Sequence, residues 1–268
     1  MPWTFAHPAA VLLFRPIKRL SFGALVVGSI APDVGYYLGR FDLAAFAHTL
    51  TGLVTLCLPA GLPLIALVRL LHRPVAGLLP RPHRQALLSL PQMPLLTSPT
   101  AVWKVPISLI IGALTHVAWD SFTHGTSYLV AIWPVLRIPA VVLGTRSFPL
   151  FEVLQHASTA LGVGVLIVGY VRWLRSVDPD SAAPTNLSDR WRYGLLGALA
   201  AIALATALPV AYFVSTSKSS STNVAMFVVR YVISCTTIFA VTLSAASLWI
   251  GRRRECSVMP TETDDKRE

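Results

Sequence analysis

Apolar residues fall in long blocks along this chain, and breaks of proline, glycine or charge set the limits of each block. A helix needs roughly 20 apolar residues to cross a bilayer. By that measure the pattern predicts six transmembrane helices, over about 20–38, 44–71, 104–122, 150–174, 193–214 and 224–250. Two apolar stretches fall short. Residues 3–14 fit an N-terminal interfacial helix, and residues 127–143, interrupted by Pro134 and Pro139, fit a short re-entrant or interfacial segment. Pro32 in the first span, and Pro59 and Pro63 in the second, predict local breaks, since proline withholds an N–H and crowds the preceding turn.

The polar stretches organise the rest. The proline-rich segment 72–100, carrying Arg73, Arg81 and Arg84, reads as a loop with room for a short surface helix, and His72 and His83 as solvated loop residues. The hydrophilic stretch 176–192 reads as a linker between a helical domain, 1–175, and a helical pair, 193–250, joined by the polar turn STSKSSSTN. The charged tail, 251–268, is expected to be disordered.

Composition agrees with an all-α polytopic membrane protein. The chain is 54% hydrophobic and only 13% charged, with a mean hydropathy of +0.63, whereas soluble domains carry about 25% charged residues. The net charge of +10 does not point to nucleic acid, because Lys and Arg flank the apolar blocks and form no repeated basic stripe. The positive-inside rule explains their placement and puts 72–100, 176–192 and both termini in the cytoplasm. Trp103, Trp173, Trp191 and Trp249 then fall at the inner interface. Cys57, Cys235 and Cys256 are far apart and form no CxxC, so they read as small buried hydrophobes. No basic residue precedes the first apolar run, so a cleaved signal peptide is not expected.

Candidate chemistry sits in GALTHVAWDSFTHG, residues 112–125. His116, Asp120 and His124 recur every four residues and form one polar stripe on a helix otherwise suited to lipid. Imidazole and carboxylate are ligands of divalent transition metals. In the predicted topology Asp33, His48, Glu152 and His156 come out at the same outer membrane face as this stripe. His116 and Asp120, about 6 Å apart along a helix, are near enough to share one ion with His48 and Asp33. His124, another turn on, is left for substrate, acid–base work or a second ion. Glu152 has alternatives: helix capping, a pair with Arg146, or a general base.

The blocks MPWTFAHPAAVLL, VVGSIAPDVGYYL, FAHTLTG, GALTHVAWDSFTHG and FEVLQHASTALG, in that order, resemble the bacterial membrane-protein family known as domain of unknown function 4184, over about residues 1–175. That family is distantly similar to the bacterial inner-membrane proteins called membrane-bound metal-dependent hydrolases. The resemblance implies metal ligation by His7, Asp33, His48, His116 and Asp120. FAHTLTG departs from the T-H-S block of the hydrolases, keeping the histidine and placing Thr49 where they have serine.

The expectation is therefore a hydrolase of the bacterial inner membrane that uses a divalent metal, Zn²⁺ first among them, at the outer face. Glu152 and His124 are the candidate acid–base groups, and His156, Arg137 and Arg146 the candidates for holding a lipid or lipid-linked phosphate or acyl substrate. Membrane lipid is the expected partner. Two rival readings are a cation or proton transporter, which requires polar residues continuing to the inner face, and a structural protein whose polar stripe only joins helices.

Overall fold

The computed structural model describes residues 3–93, 96, 98–178, 187–218 and 224–258. The middle of the expected linker, 179–186, most of the expected turn, 219–223, and the tail from 259 lie outside the described residues. Among the described residues, five helices are long and apolar enough to cross a membrane: Leu50–Leu78, Pro99–Ile132, Leu150–Ser176, Asp189–Phe213 and Met226–Arg253. The chain forms two compact units, one of residues 1–69 and 91–176, the other of 70–90 and 177–268. Residues 70–90 thus group with the C-terminal helices.

In the first unit a short N-terminal segment, Thr4–Phe14, is followed by α1, Phe22–Ile30. Ser21 caps α1, its hydroxyl accepting from the Ala24 N–H. The stretch 20–38 is not one span. α1 has nine residues and rises about 14 Å, under half the hydrocarbon thickness. Pro32, which has no N–H to continue the α-helical ladder, sits in the tight 3₁₀ turn Ala31–Asp33, followed by one helical turn, Val34–Tyr37.

Helix α2 is Phe41–Ala47 and ends at His48. Thr49 caps the next helix, α3, Leu50–Leu78, accepting from the Gly52 N–H at 3.0 Å and donating to Phe46 O at 2.8 Å. A hydroxyl at this position therefore serves the turn, and threonine supplies it. Pro59 and Pro63 do not break α3. The turn before them, Leu53–Cys57, widens to the π pattern, with the Leu58 N–H bonding Leu53 O, and the α-helix resumes at Leu58.

Helix α4, Pro99–Thr123, starts at Ser98, whose hydroxyl accepts from the Ala101 N–H. It crosses α1 at unusually short range. A Cβ on Gly112 would fall onto Leu25 O and one on Gly28 onto Leu109 O, so only glycine admits this approach. Ala24, Val27, Ile65, Val105 and Leu109 pack around the crossing, and Ala31, Ala47, Leu53, Cys57 and Ala113 form a second buried group nearer the candidate chemistry.

Beyond α4 the segment expected to be interfacial or re-entrant forms α5, Tyr128–Ile132, a 3₁₀ turn, Pro134–Arg137, and then a hairpin that the sequence pattern does not foreshadow. Strands β1, Pro139–Leu143, and β2, Arg146–Pro149, are antiparallel around Gly144, whose φ of +60° suits the two-residue turn. Helix α6, Leu150–Ser176, follows directly.

The second unit contains α7, His83–Leu88, α8, Asp189–Lys218, and α9, Val224–Val258. Helix α9 thus runs into the first residues of the expected tail. Leu199, Ala203, Ala207 and Ala211 form the buried stripe of α8, and Tyr231 on α9 donates to Leu204 O at 3.2 Å. At the start of α8, Asp189 accepts from Arg192 at 2.9 Å and from Arg81 at 3.1 Å, while Arg192 donates to Gly77 O at 3.2 Å. His72 is half-buried in α3, with its Nε2 2.7 Å from Leu87 O, so it is not a solvated loop residue.

Candidate metal centre

Three separate pieces of backbone deliver the site. The 3₁₀ turn forced at Pro32 presents Asp33, the end of α2 presents His48, and successive turns of α4 present His116 and Asp120. One ligand atom from each of these residues lies within 4.8 Å of all the others. Asp33, His116 and Asp120 are buried and His48 is half-buried.

The histidine rings are held from behind. His116 Nδ1 lies 2.7 Å from Ser29 O, and His48 Nδ1 lies 2.7 Å from Ala44 O. A carbonyl can only accept, so each Nδ1 carries the proton, and a neutral ring then presents a bare lone pair at Nε2. The two Nε2 atoms face each other at 3.2 Å. Each also lies 3.3 Å from Asp120 Oδ2 and 3.5 Å from Asp33 Oδ1. With both rings neutral, four acceptor atoms converge in an arrangement that could hold a cation. The buried Asp33 Oδ1 makes no hydrogen bond, while Oδ2 of the same carboxylate accepts from Thr4 Oγ1. The donor set, two imidazoles and two carboxylates, is one that can hold a divalent transition metal.

His7, which the resemblance places among the ligands, stands beside the four. Its ring stacks on His116 with centroids 3.7 Å apart, and its Nε2 is 3.5 Å from Asp120 Oδ1, whereas His48 and His116 pair with Oδ2 of that carboxylate. His124 Nδ1 is 3.1 Å from Asp120 O and 3.7 Å from Asp120 Oδ2.

A cavity of about 530 Å³ touches the cluster at His48 and Asp120 and is also lined by Tyr36, Ser121, His124, Thr126, Ser127 and Tyr128. Asp33 and His116 do not line it, so the cluster has a closed side and an open side.

The remaining sequence candidates have other partners. Glu152 pairs with Arg146 at 3.1 Å and does not line the cavity. Of its alternatives, the pair with Arg146 is the one formed. Arg137 donates to Val130 O at 3.0 Å and to Gly125 O at 3.2 Å, so its guanidinium braces backbone. His156 is exposed on α6 and does not line the cavity. Asp42 is also apart from the site. The Arg40 guanidinium, 2.7 Å away, holds its carboxyl down to about 2.

Sequence reasoning missed Thr4, the carbonyls of Ser29 and Ala44, and the hydroxyl-bearing wall of the cavity. Thr4 sits three residues before His7 in an apolar run, and only that short spacing could have marked it. Backbone acceptors leave no trace in residue type.

The profile of the family described as a domain of unknown function (DUF4184) matches residues 1–248. The chain belongs to this family. The match extends past the five motif blocks and takes in most of the C-terminal helical pair, which the motifs alone leave out. No curated protein and no solved structure matches the chain, and the likeness to membrane-bound hydrolases finds no support among these comparisons.

Proposed function

We propose that the chain is a membrane-embedded, metal-dependent hydrolase in which Asp33, His48, His116 and Asp120 hold one divalent ion of the Zn²⁺ class. The observation that carries the reading is the spacing of the four donor atoms. A tetrahedral ion with bonds of about 2.0–2.1 Å holds its ligand atoms about 3.3–3.4 Å apart, and five of the six separations here, all but that between the two carboxylate oxygens, are 3.2, 3.3, 3.3, 3.5 and 3.5 Å. Two carboxylates offset the charge of such an ion, which lowers the cost of burial in an apolar surrounding.

The asymmetry of access favours catalysis over a structural role. Structural zinc sites are filled by four protein ligands and catalytic ones keep a position for water; with four protein ligands here, catalysis would require water to join the ion as a further ligand from the open side at His48 and Asp120. A divalent ion in this position supplies an acidified water and a Lewis acid for a phosphoryl or acyl oxygen. His124 is the acid–base group: its Nδ1 is engaged by Asp120 O, which leaves Nε2 to exchange a proton in the cavity that His124 lines. Glu152, paired with Arg146, has no part in this reading. Substrate hydroxyls and esters find partners in Ser121, Thr126, Ser127 and the two tyrosines.

The test is hydrolysis by protein reconstituted in lipid nanodiscs, with 4-nitrophenyl acetate and 4-nitrophenyl phosphate as probes. Turnover of either probe that a chelator abolishes and added Zn²⁺ restores supports the reading, provided that His124→Gln loses it while retaining metal. Metal-loaded protein that hydrolyses neither probe, or whose His124→Gln variant is as active as the parent, counts against it.

A further inference from the structure

We infer that residues 128–149, comprising α5, the 3₁₀ turn and the β1–β2 hairpin, form a docking element that lies in the headgroup layer of the bilayer, level with the mouth of the metal-site cavity. The segment begins with the last five residues of the apolar stretch Pro99–Ile132 and leads directly into Leu150–Ser176, both long and apolar enough to span, so both of its ends are fixed at the end of a span. Its side chains do not suit water. Trp133, Val135, Ile138, Val141, Val142 and Leu143 are all exposed, Val142 and Leu143 by 65% and 66%. Successive strand residues point to opposite faces, so Val141, Val142 and Leu143 make both faces of the hairpin apolar.

The backbone does not suit hydrocarbon either. A two-stranded sheet has an unpaired edge on each strand, and such edges are not tolerated in the lipid core. Arg146, exposed over 67% of its side chain and paired with Glu152, also demands water or headgroups. Apolar faces on a backbone with open edges and a charged pair fit only the boundary between headgroups and acyl chains. A second copy of the chain would satisfy the faces without explaining the charged pair.

The element is tied to the site. Arg137 clamps Gly125 O and Val130 O, fixing it to the turn just after His124, and Tyr128, its first residue, lines the cavity and is 74% exposed. The consequence for substrate rests on the metal-hydrolase reading: an amphiphile whose polar group lies at headgroup depth enters sideways from the bilayer past Tyr128.

The test uses spin labels on Val142→Cys, Leu143→Cys and, from the preceding turn, Val135→Cys, each in full-length protein with Cys57→Ala, Cys235→Ala and Cys256→Ser, in phosphatidylethanolamine–phosphatidylglycerol nanodiscs. Collision with oxygen, which partitions into lipid, is compared with collision with a water-soluble nickel chelate. Asp42→Cys serves as the aqueous reference and Leu161→Cys, exposed in the middle of α6, as the hydrocarbon reference. Oxygen-to-nickel ratios between the two references at all three positions are expected. Ratios matching Asp42→Cys place the hairpin in water, ratios matching Leu161→Cys place it in the core, and dipolar broadening shows a second copy covering it; each of these overturns the proposal. Intermediate ratios in a protein that binds no metal leave the docking intact and remove the hydrolase.

Discussion

His48 and His116 are 68 positions apart in sequence, and their Nε2 atoms face each other at 3.2 Å, each ring held from behind by a backbone carbonyl. Neutral imidazoles in this arrangement repel unless something positive lies between them, and two carboxylates close the remaining sides. The glycine crossing of α1 and α4 makes the arrangement possible. It brings Ser29 O, one residue beyond Gly28, within 2.7 Å of His116 Nδ1.

That crossing gives the first prediction. Gly112→Val places a branched side chain against Leu25 O and the Ser29 amide. Overpacking of this kind costs typically about 1–3 kcal/mol, and the displaced α1 withdraws Ser29 O from His116. Thermal unfolding in detergent should fall by several degrees and metal content should drop, whereas Gly77→Ala, where a Cβ meets nothing within 4 Å, changes neither.

Thr4 gives the second. By donating to Asp33 Oδ2 it leaves Oδ1 facing the histidines. Loss of a hydrogen bond that orients a ligand typically lowers metal affinity by about 10–100-fold. Thr4→Val, close in shape, should show that loss in a competition titration with a chromogenic chelator, and Thr4→Ser should restore most of it. Equal affinities for Thr4→Val and the parent would mean that the N-terminal segment plays no part in ligation.

A third prediction separates the two carboxylates beyond the cluster from those within it. Glu152→Gln removes the pair with Arg146, and Asp42→Asn the exposed pair with Arg40. Both variants should retain full metal content by elemental analysis. The Arg40 pair depresses the Asp42 carboxyl, so any stability it adds is present above the ordinary carboxylate range and fades as pH falls toward about 2; fully exposed as the pair is, it should be small.

A fourth concerns pH. Metal ligation requires both imidazoles to be neutral, so protons compete with the ion. Metal affinity should fall as pH drops, because an imidazole that gains a proton at Nε2 loses the lone pair that would hold the ion. A flat affinity profile between pH 5 and 8 would mean that the histidines are not ligands.

Much of the helical plan is legible because hydropathy and period are local properties. The blocks at 104–122, 150–174, 193–214 and 224–250 all fall within helices, and the four-residue step from His116 to Asp120 needs only helix geometry. Asp33 and His48 join them because they sit beside helix ends, where Pro32 and Thr49 mark the breaks. The span expected over 20–38 fails for the same reason that makes Asp33 useful: the proline ends the helix and turns its polar residue inward. The widened turn before Pro59 and the 139–149 hairpin were not readable, because both depend on packing around them and on backbone bonding that residue type does not encode. The roles of Thr4 and Ser29 depend on contacts 29 and 87 positions away, which no local pattern can carry.

In the proposed centre four protein ligands, drawn from three parts of the chain, hold one ion. Elemental analysis of the purified protein, with X-ray absorption at the edge of the metal found, tests it most directly. The expected result is one divalent transition metal per chain with a light-atom shell of nitrogen and oxygen at about 2.0–2.1 Å, lost in His116→Ala and in Asp33→Ala while both variants remain folded by circular dichroism. Folded, metal-free parent protein that takes up no ion on titration with Zn²⁺, Mn²⁺ or Fe²⁺ would contradict it.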